Sequence, residues 1–222
     1  MPISKKIHKL QSRYPLLGPI IYISSIQYFV IQYIVSLKFR PDFSITYYTI
    51  SDLGNTVCAS YDKRMVCSPL HPLMNISFVL LGLIILLGSW LIHFQFNKPE
   101  RITVGFILFS LGGIGAILVG LFPENTIYFL HGLGSFLPFL FGNIALVVLG
   151  LSLNVSKFLR IYTILSGTIA LIAFCFYITH HYLGIDEGGV ERLMAFPQTI
   201  WMIVFGVYLL FNHDNQEILK KN

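Results

Sequence analysis

Charge is what this chain has least of. Only 11% of its 222 residues are Asp, Glu, Lys or Arg, where an ordinary globular domain carries about a quarter. So few charges cannot cover a water-facing surface of this length, which argues against a soluble body. Internal repeats and low-complexity tracts are missing as well. The net charge of +5 does not point to nucleic acid, because no basic run is dense enough to follow a phosphate backbone and the aromatic residues sit inside apolar segments. Gly-x-Ser-x-Gly, the P-loop, the Rossmann fingerprint and His-Glu-x-x-His are absent. Cysteine is sparse, with three in all. Cys58 and Cys67 share one expected loop, and pair as a disulfide if that loop faces an oxidising compartment; two free thiols are the alternative. Cys175 falls in an apolar block and reads as packing.

What is present in abundance is apolar sequence, 55% of the chain, with a mean hydropathy of +0.72. It gathers into six blocks at roughly 15–36, 72–93, 102–122, 127–152, 158–180 and 191–211. Each is long enough to cross a hydrocarbon core of about 30 Å, and unpaired backbone cannot face lipid, so each is expected to be helical. The fold class is therefore all-α: a polytopic transmembrane bundle of six spans forming a single membrane domain over 1–222. The first block is too long for a signal-peptide core and has no small-residue cleavage site after it. No C-terminal lipidation or retention motif appears, and the expected place is the cell membrane.

Lys and Arg set the orientation. With both termini cytoplasmic, the inner side holds Lys5, Lys6, Lys9, Arg13, Lys98, Arg101, Lys157, Arg160, Lys220 and Lys221. The outer side holds only Lys38, Arg40, Lys63, Arg64 and Arg192. That bias favours this orientation. Most acids fall the other way, on the outer side, together with the one long loop, 37–71, which is expected to fold over the mouth of the bundle. Within the spans, Gly112, Ala116 and Gly120 form a small-residue stripe suited to close packing against span 2 or span 4. Pro138 and Pro197 should each bend a helix.

The side chains that could carry chemistry collect near that outer boundary. They are Asp52 and Asn55, His71 and Asn75, Glu124, His131, the pair His180 and His181, and Glu191 with Arg192. A helix starting near Glu124 would carry His131 roughly 10 Å deeper, where an ionisable group faces a cavity or the bundle interior. Arg192, near the positive end of a helix dipole, calls for a carboxylate from elsewhere, with Asp52 or Glu124 the candidates. Asp52, Glu124, His131 and Arg192 are thus the candidate polar site. His131, His180 and His181 with one of those acids would suffice as zinc ligands, although two adjacent histidines on a helix point about 100° apart. Ser51 beside Asp52 reads either as a nucleophile near a histidine or as a turn.

Ile-Ser-Asp-Leu-Gly-Asn (50–55), Gly-Leu-Phe-Pro-Glu (120–124), His131 and Gly-Val-Glu-Arg-Leu (189–193) occur in the order and placement that resemble the domain-of-unknown-function 998 family of six-span membrane proteins. The resemblance covers nearly the whole chain and implies six spans, with emphasis on Asp52, Gly54, Pro123, His131 and Arg192. It implies no activity. The Ser-Asp-x-Gly element before span 2 is also distantly similar to the DRAM-like membrane proteins. The outer Ser, Asp and His residues resemble those of alkaline-ceramidase-like hydrolases, from which the chain departs in span number and histidine spacing.

Three functions follow from these residues. One is a bundle that binds membrane lipid or a partner membrane protein, including as accessory subunit of a larger complex. Another is a zinc-assisted hydrolase of a lipid-like substrate at the outer leaflet. Transport is disfavoured, since no charge lies at an expected midplane, where Asn143 is the notable polar residue.

Overall fold

A computed structural model describes residues 15–96 and 100–212. It contains six helices long and apolar enough to cross a membrane: α1 (Leu17–Ser36), α2 (His71–His93), α3 (Glu100–Leu121), α4 (Tyr128–Ser152), α5 (Lys157–Ile178) and α6 (Asp186–Phe211). Residues Ile107, Leu165, Ile169 and Ile172, at least half exposed, turn apolar faces outward, as lipid contact requires. The protein is a multi-pass helical membrane protein. Lys5, Lys6, Lys9, Arg13, Lys98, Lys220 and Lys221, which carry most of the expected basic bias, lie outside the described residues, as do Asp214 and Glu217.

The interior is held by aromatic packing whose polar tips are satisfied. Trp201 of α6 stacks on Phe205 with ring centroids 4.7 Å apart and meets Phe109 of α3 edge-on at 5.4 Å. Its indole N–H donates to Thr163 Oγ1 of α5 at 2.8 Å. Tyr22 of α1 shares a 2.7 Å hydrogen bond with Ser89 of α2. In a dry interior such partners are obligatory, because an unpaired hydroxyl or N–H has no water to turn to.

The small-residue stripe on α3 serves both neighbours that the sequence left open. A Cβ on Gly112 would press on Pro138 of α4, and one on Gly120 would press on Asn75 and Phe78 of α2. Pro138 has no N–H for the carbonyl one turn back, and α4 widens into a π turn over Leu137–Gly142. Asn143 closes that turn by donating to Phe139 O at 2.9 Å and, across to α6, to Met194 O at 3.1 Å. Asn143, the polar residue expected at the midplane, is therefore a fastener between α4 and α6.

The 37–70 connection is ordered. It carries the hairpin β1 (Cys58–Tyr61) and β2 (Arg64–Cys67), whose first and last residues form the Cys58–Cys67 disulfide. Arg40 N–H bonds Cys67 O at 2.9 Å. Phe39, Phe43 and Tyr48 cluster with centroids 4.7–5.7 Å apart, and Ser51–Gly54 forms a 3-10 turn.

The last helix starts at Asp186 rather than near 191. Gly-Ile-Asp-Glu-Gly-Gly resembles loop sequence, but Asp186 and Glu187 are favourable in a first helical turn. Gly188 is needed for a different reason. The Tyr48 carbonyl leans onto it so closely that any Cβ would collide, and Gly189 N–H donates to Thr46 O at 2.9 Å. Residues 46–50 thus lie along the first turn of α6.

Candidate functional site

Asp52 is fully buried at the centre of the 3-10 turn. Its Oδ2 accepts the Thr49 N–H at 2.8 Å, and Thr49 Oγ1 accepts the Asp52 N–H at 3.0 Å. This reciprocal pair locks the turn locally, as short polar side chains do. Two donors clamp it from outside: Ser68 Oγ to Leu53 O at 2.7 Å, and Asn75 Nδ2 of α2 to Gly54 O at 2.9 Å.

The hairpin supplies the cation. Arg64 and Val66 alternate inward while Met65 faces out. The Arg64 guanidinium stands 3.6 Å from Asp52 Oδ2 and donates to Glu187 Oε2 at 2.6 Å. Tyr177 OH of α5 donates to the other Glu187 oxygen at 3.0 Å. One ion network therefore joins the turn, the hairpin, α5 and α6. Burial works against the Arg64 cation, but Asp52 and Glu187 outweigh it and hold its pKa above the usual value. Burial raises the Asp52 pKa, with Arg64 pulling the other way.

Glu124 follows α3 in the short 122–127 turn. Asn55 Nδ2 donates to its Oε1 at 2.7 Å, and Tyr61 OH donates to its backbone oxygen at 2.8 Å. Burial, then the nearby Asp52, push its pKa well above the ordinary 4.5, favouring the neutral acid. Burial and Glu124 also push Tyr61 up to about 12.

The long descent from Glu124 to His131 does not occur, because α4 begins only at Tyr128 and His131 sits in its first turn. It is nevertheless buried. Nδ1 lies 2.9 Å from Phe122 O and Nε2 lies 3.1 Å from Ser51 Oγ. A carbonyl oxygen only accepts, so Nδ1 carries the ring proton and Nε2 is the bare acceptor facing the serine hydroxyl. Ser51 Oγ also reaches Glu191 Oε1 at 3.3 Å, while Glu191 Oε2 accepts the Ile50 N–H.

These groups share a cavity of about 720 Å³. Ser51, Glu124, His131, Arg64, Glu187 and Glu191 give its lining polar groups; Phe136, Phe139, Phe174 and Ile178 give it apolar ones.

Two sequence expectations are corrected. Arg192 finds no carboxylate. Its Nη1 donates to Tyr48 O at 2.7 Å and Gly188 O at 2.8 Å, and among the described residues every ion pair belongs to Arg64. Asp52 is taken up by the Thr49 N–H and Arg64 instead, and the earlier start of α6 moves Arg192 past the first turn, where the dipole acts. His180 and His181, both exposed, do not join His131: His180 Nδ1 bonds Tyr182 OH at 3.0 Å and His181 Nδ1 bonds Thr179 O at 2.8 Å. Among the described residues, no three His, Cys, Asp or Glu side chains stand together as a metal's ligands would.

Arg64, Glu187 and Tyr177 escaped the sequence reading. The inward alternation of Arg64 with Val66 was a usable signal; the other two had none, because their roles depend on the early start of α6.

Fold and site together define a polytopic helical membrane protein with a polar cavity at one end of the bundle. More particularly, the chain belongs to the family described as protein of unknown function (DUF998), whose profile matches residues 23–208. No curated protein and no solved structure matches it.

Proposed function

We propose that the protein binds a membrane amphiphile, its head among the carboxyl groups of the cavity and its tail along Phe136, Phe139 and Phe174. The supporting observation is the mixed polar and aromatic lining of the 720 Å³ cavity, a volume within the range of small-molecule sites. Asp62, Glu124, Glu187 and Glu191 line it with Arg64 as the basic residue, and Arg64 is already engaged by Asp52 and Glu187. A head that donates hydrogen bonds, an amine or a polyol, fits such a wall, whereas a phosphate is repelled. We place this end on the non-cytoplasmic face of the cell membrane, in keeping with the Cys58–Cys67 disulfide and the expected basic bias.

The test uses purified, delipidated protein and single-chain amphiphiles that share a tail and differ in head, with retention read by native mass spectrometry. Amine- or hydroxyl-headed ligands should be retained and phosphate-headed ones excluded from this cavity. Gly132 lines the cavity, and a Cβ there meets nothing within 4 Å. Gly132→Phe should therefore fold and lose retention; unchanged retention contradicts the reading.

A second reading rests on the Ser51–His131 contact of 3.1 Å. With an ester in the cavity, Ser51 Oγ bonds to the acyl carbon as its proton passes to His131 Nε2. That proton goes to the departing alkoxide, and water then releases the acid by the same route. A fluorophosphonate probe should label the protein but not Ser51→Ala; absence of labelling removes this reading and leaves the first intact. A zinc-assisted route would need His180 or His181 to move onto His131. Stoichiometric zinc lost in His131→Ala would put that route in place of the serine one.

A further inference from the structure

On the far side of the 43–53 segment lies a crevice of about 310 Å³, lined by Gln32 and Ser36 of α1, Phe43 and Leu53 of the loop, and Arg192 and Phe196 of α6. We propose that it binds a phosphate group carried by an anionic lipid, with Arg192 and Gln32 as its donors.

Both side chains are more than nine-tenths buried, Arg192 at 6% exposure and Gln32 at 7%. Each keeps a donor without a partner: Arg192 Nε and Gln32 Nε2. The bonds that Arg192 does make go to two neutral carbonyls, which position the guanidinium without neutralising it. The Phe43 ring, 5.5 Å from its centre, adds a cation–π contact and supplies no acceptor. Glu191, the next residue along the helix, is near enough to attract the cation, but it forms no ion pair with Arg192 and its oxygens are occupied by Ile50 N–H and Ser51. Arg64 shows what this protein does when it neutralises a buried arginine internally, since three carboxylates, Asp52, Asp62 and Glu187, stand against it. A buried guanidinium with an open donor is costly unless an anion completes it, and a phosphate oxygen array suits its fork and an adjacent amide N–H.

A lipid is the favoured source because of the rim. Tyr33 and Ile45 line the same crevice and are 67% and 60% exposed, an apolar border for acyl chains. Gln32 lies in the last turns of α1 and Arg192 in the second turn of α6, close to the helix ends where headgroups sit.

The experiment measures equilibrium binding of dihexanoyl phosphatidylglycerol to the full chain in detergent, with dihexanoylglycerol and inorganic phosphate as separate arms. Phosphatidylglycerol should bind and dihexanoylglycerol, which lacks the phosphate, should not. Arg192→Gln should weaken binding roughly ten- to hundredfold. Because Arg192 also holds the loop, Gln32→Glu is the second variant. It supplies the missing carboxylate from within, so it should abolish binding while raising the melting temperature of the lipid-free protein. Inorganic phosphate binding as tightly as the lipid would assign the same site to a soluble anion. No binding of either, or lipid binding unchanged in both variants, overturns the proposal.

Discussion

Two recesses flank one stretch of chain, residues 43–53, and their chemistry is opposite. On one side Arg64 is paired with Asp52, Asp62 and Glu187, and Glu124 and Glu191 face a cavity that Phe136, Phe139 and Phe174 also line. On the other, Arg192 is satisfied only by carbonyls and keeps an open donor beside Gln32. A single helix makes the division, since Glu191 and Arg192 are consecutive in α6 and diverge by about 100°. The lesson is that a buried charge is read from what faces it: equal burial yields a structural pin in one place and a vacancy for an anion in the other.

The first way to break this contrast is to remove the pin. Arg64→Leu leaves Asp52 buried without its cation and should cost about 3–5 kcal/mol, measured by unfolding in detergent. A loss under about 1 kcal/mol would show that Asp52 needs no partner. Next in size is the hairpin closure that presents Arg64. Cys58→Ser with Cys67→Ser should cost about 2–3 kcal/mol by loop entropy, expose residues 37–70 to protease and leave the six spans intact.

The helices of this bundle were legible from composition and block length, because lipid leaves few alternatives to helix. The start of α6 was not, since Gly188 and Gly189 mark a loop in isolation and become helical only because the Tyr48 carbonyl and Thr46 O dock on them. The candidate site divides in the same way. Asp52, Glu124 and His131 do converge, and as polar residues at a membrane boundary they stood out. The partner of Arg192 was misjudged because sequence shows that a cation needs an acceptor but not which face of the loop it meets. Ser51 was ambiguous for want of His131 Nε2, a contact 80 residues away.

Smaller effects sharpen the comparison. The folded-state pKa of Glu124 lies above the ordinary 4.5, so its contribution to stability is fully present below that value. It is lost as pH rises through the raised folded value. Melting temperature should therefore fall from mildly acid toward alkaline pH, and Glu124→Gln should flatten that slope; an unchanged slope would assign it to another group. Ser51→Ala should be the mildest change, under about 1 kcal/mol, with amphiphile retention kept and labelling by the fluorophosphonate lost.

The most direct test crosses two ligands with two variants. One tail carrying an amine head and the same tail carrying a phosphate head are offered to native protein, Gly132→Phe and Gln32→Glu, and the bound fraction of each is counted by native mass spectrometry. Two chemically opposed sites require that Gly132→Phe lose only the amine and Gln32→Glu only the phosphate. Loss of both ligands in either variant, or of neither in both, would mean that the loop does not separate two recesses at all.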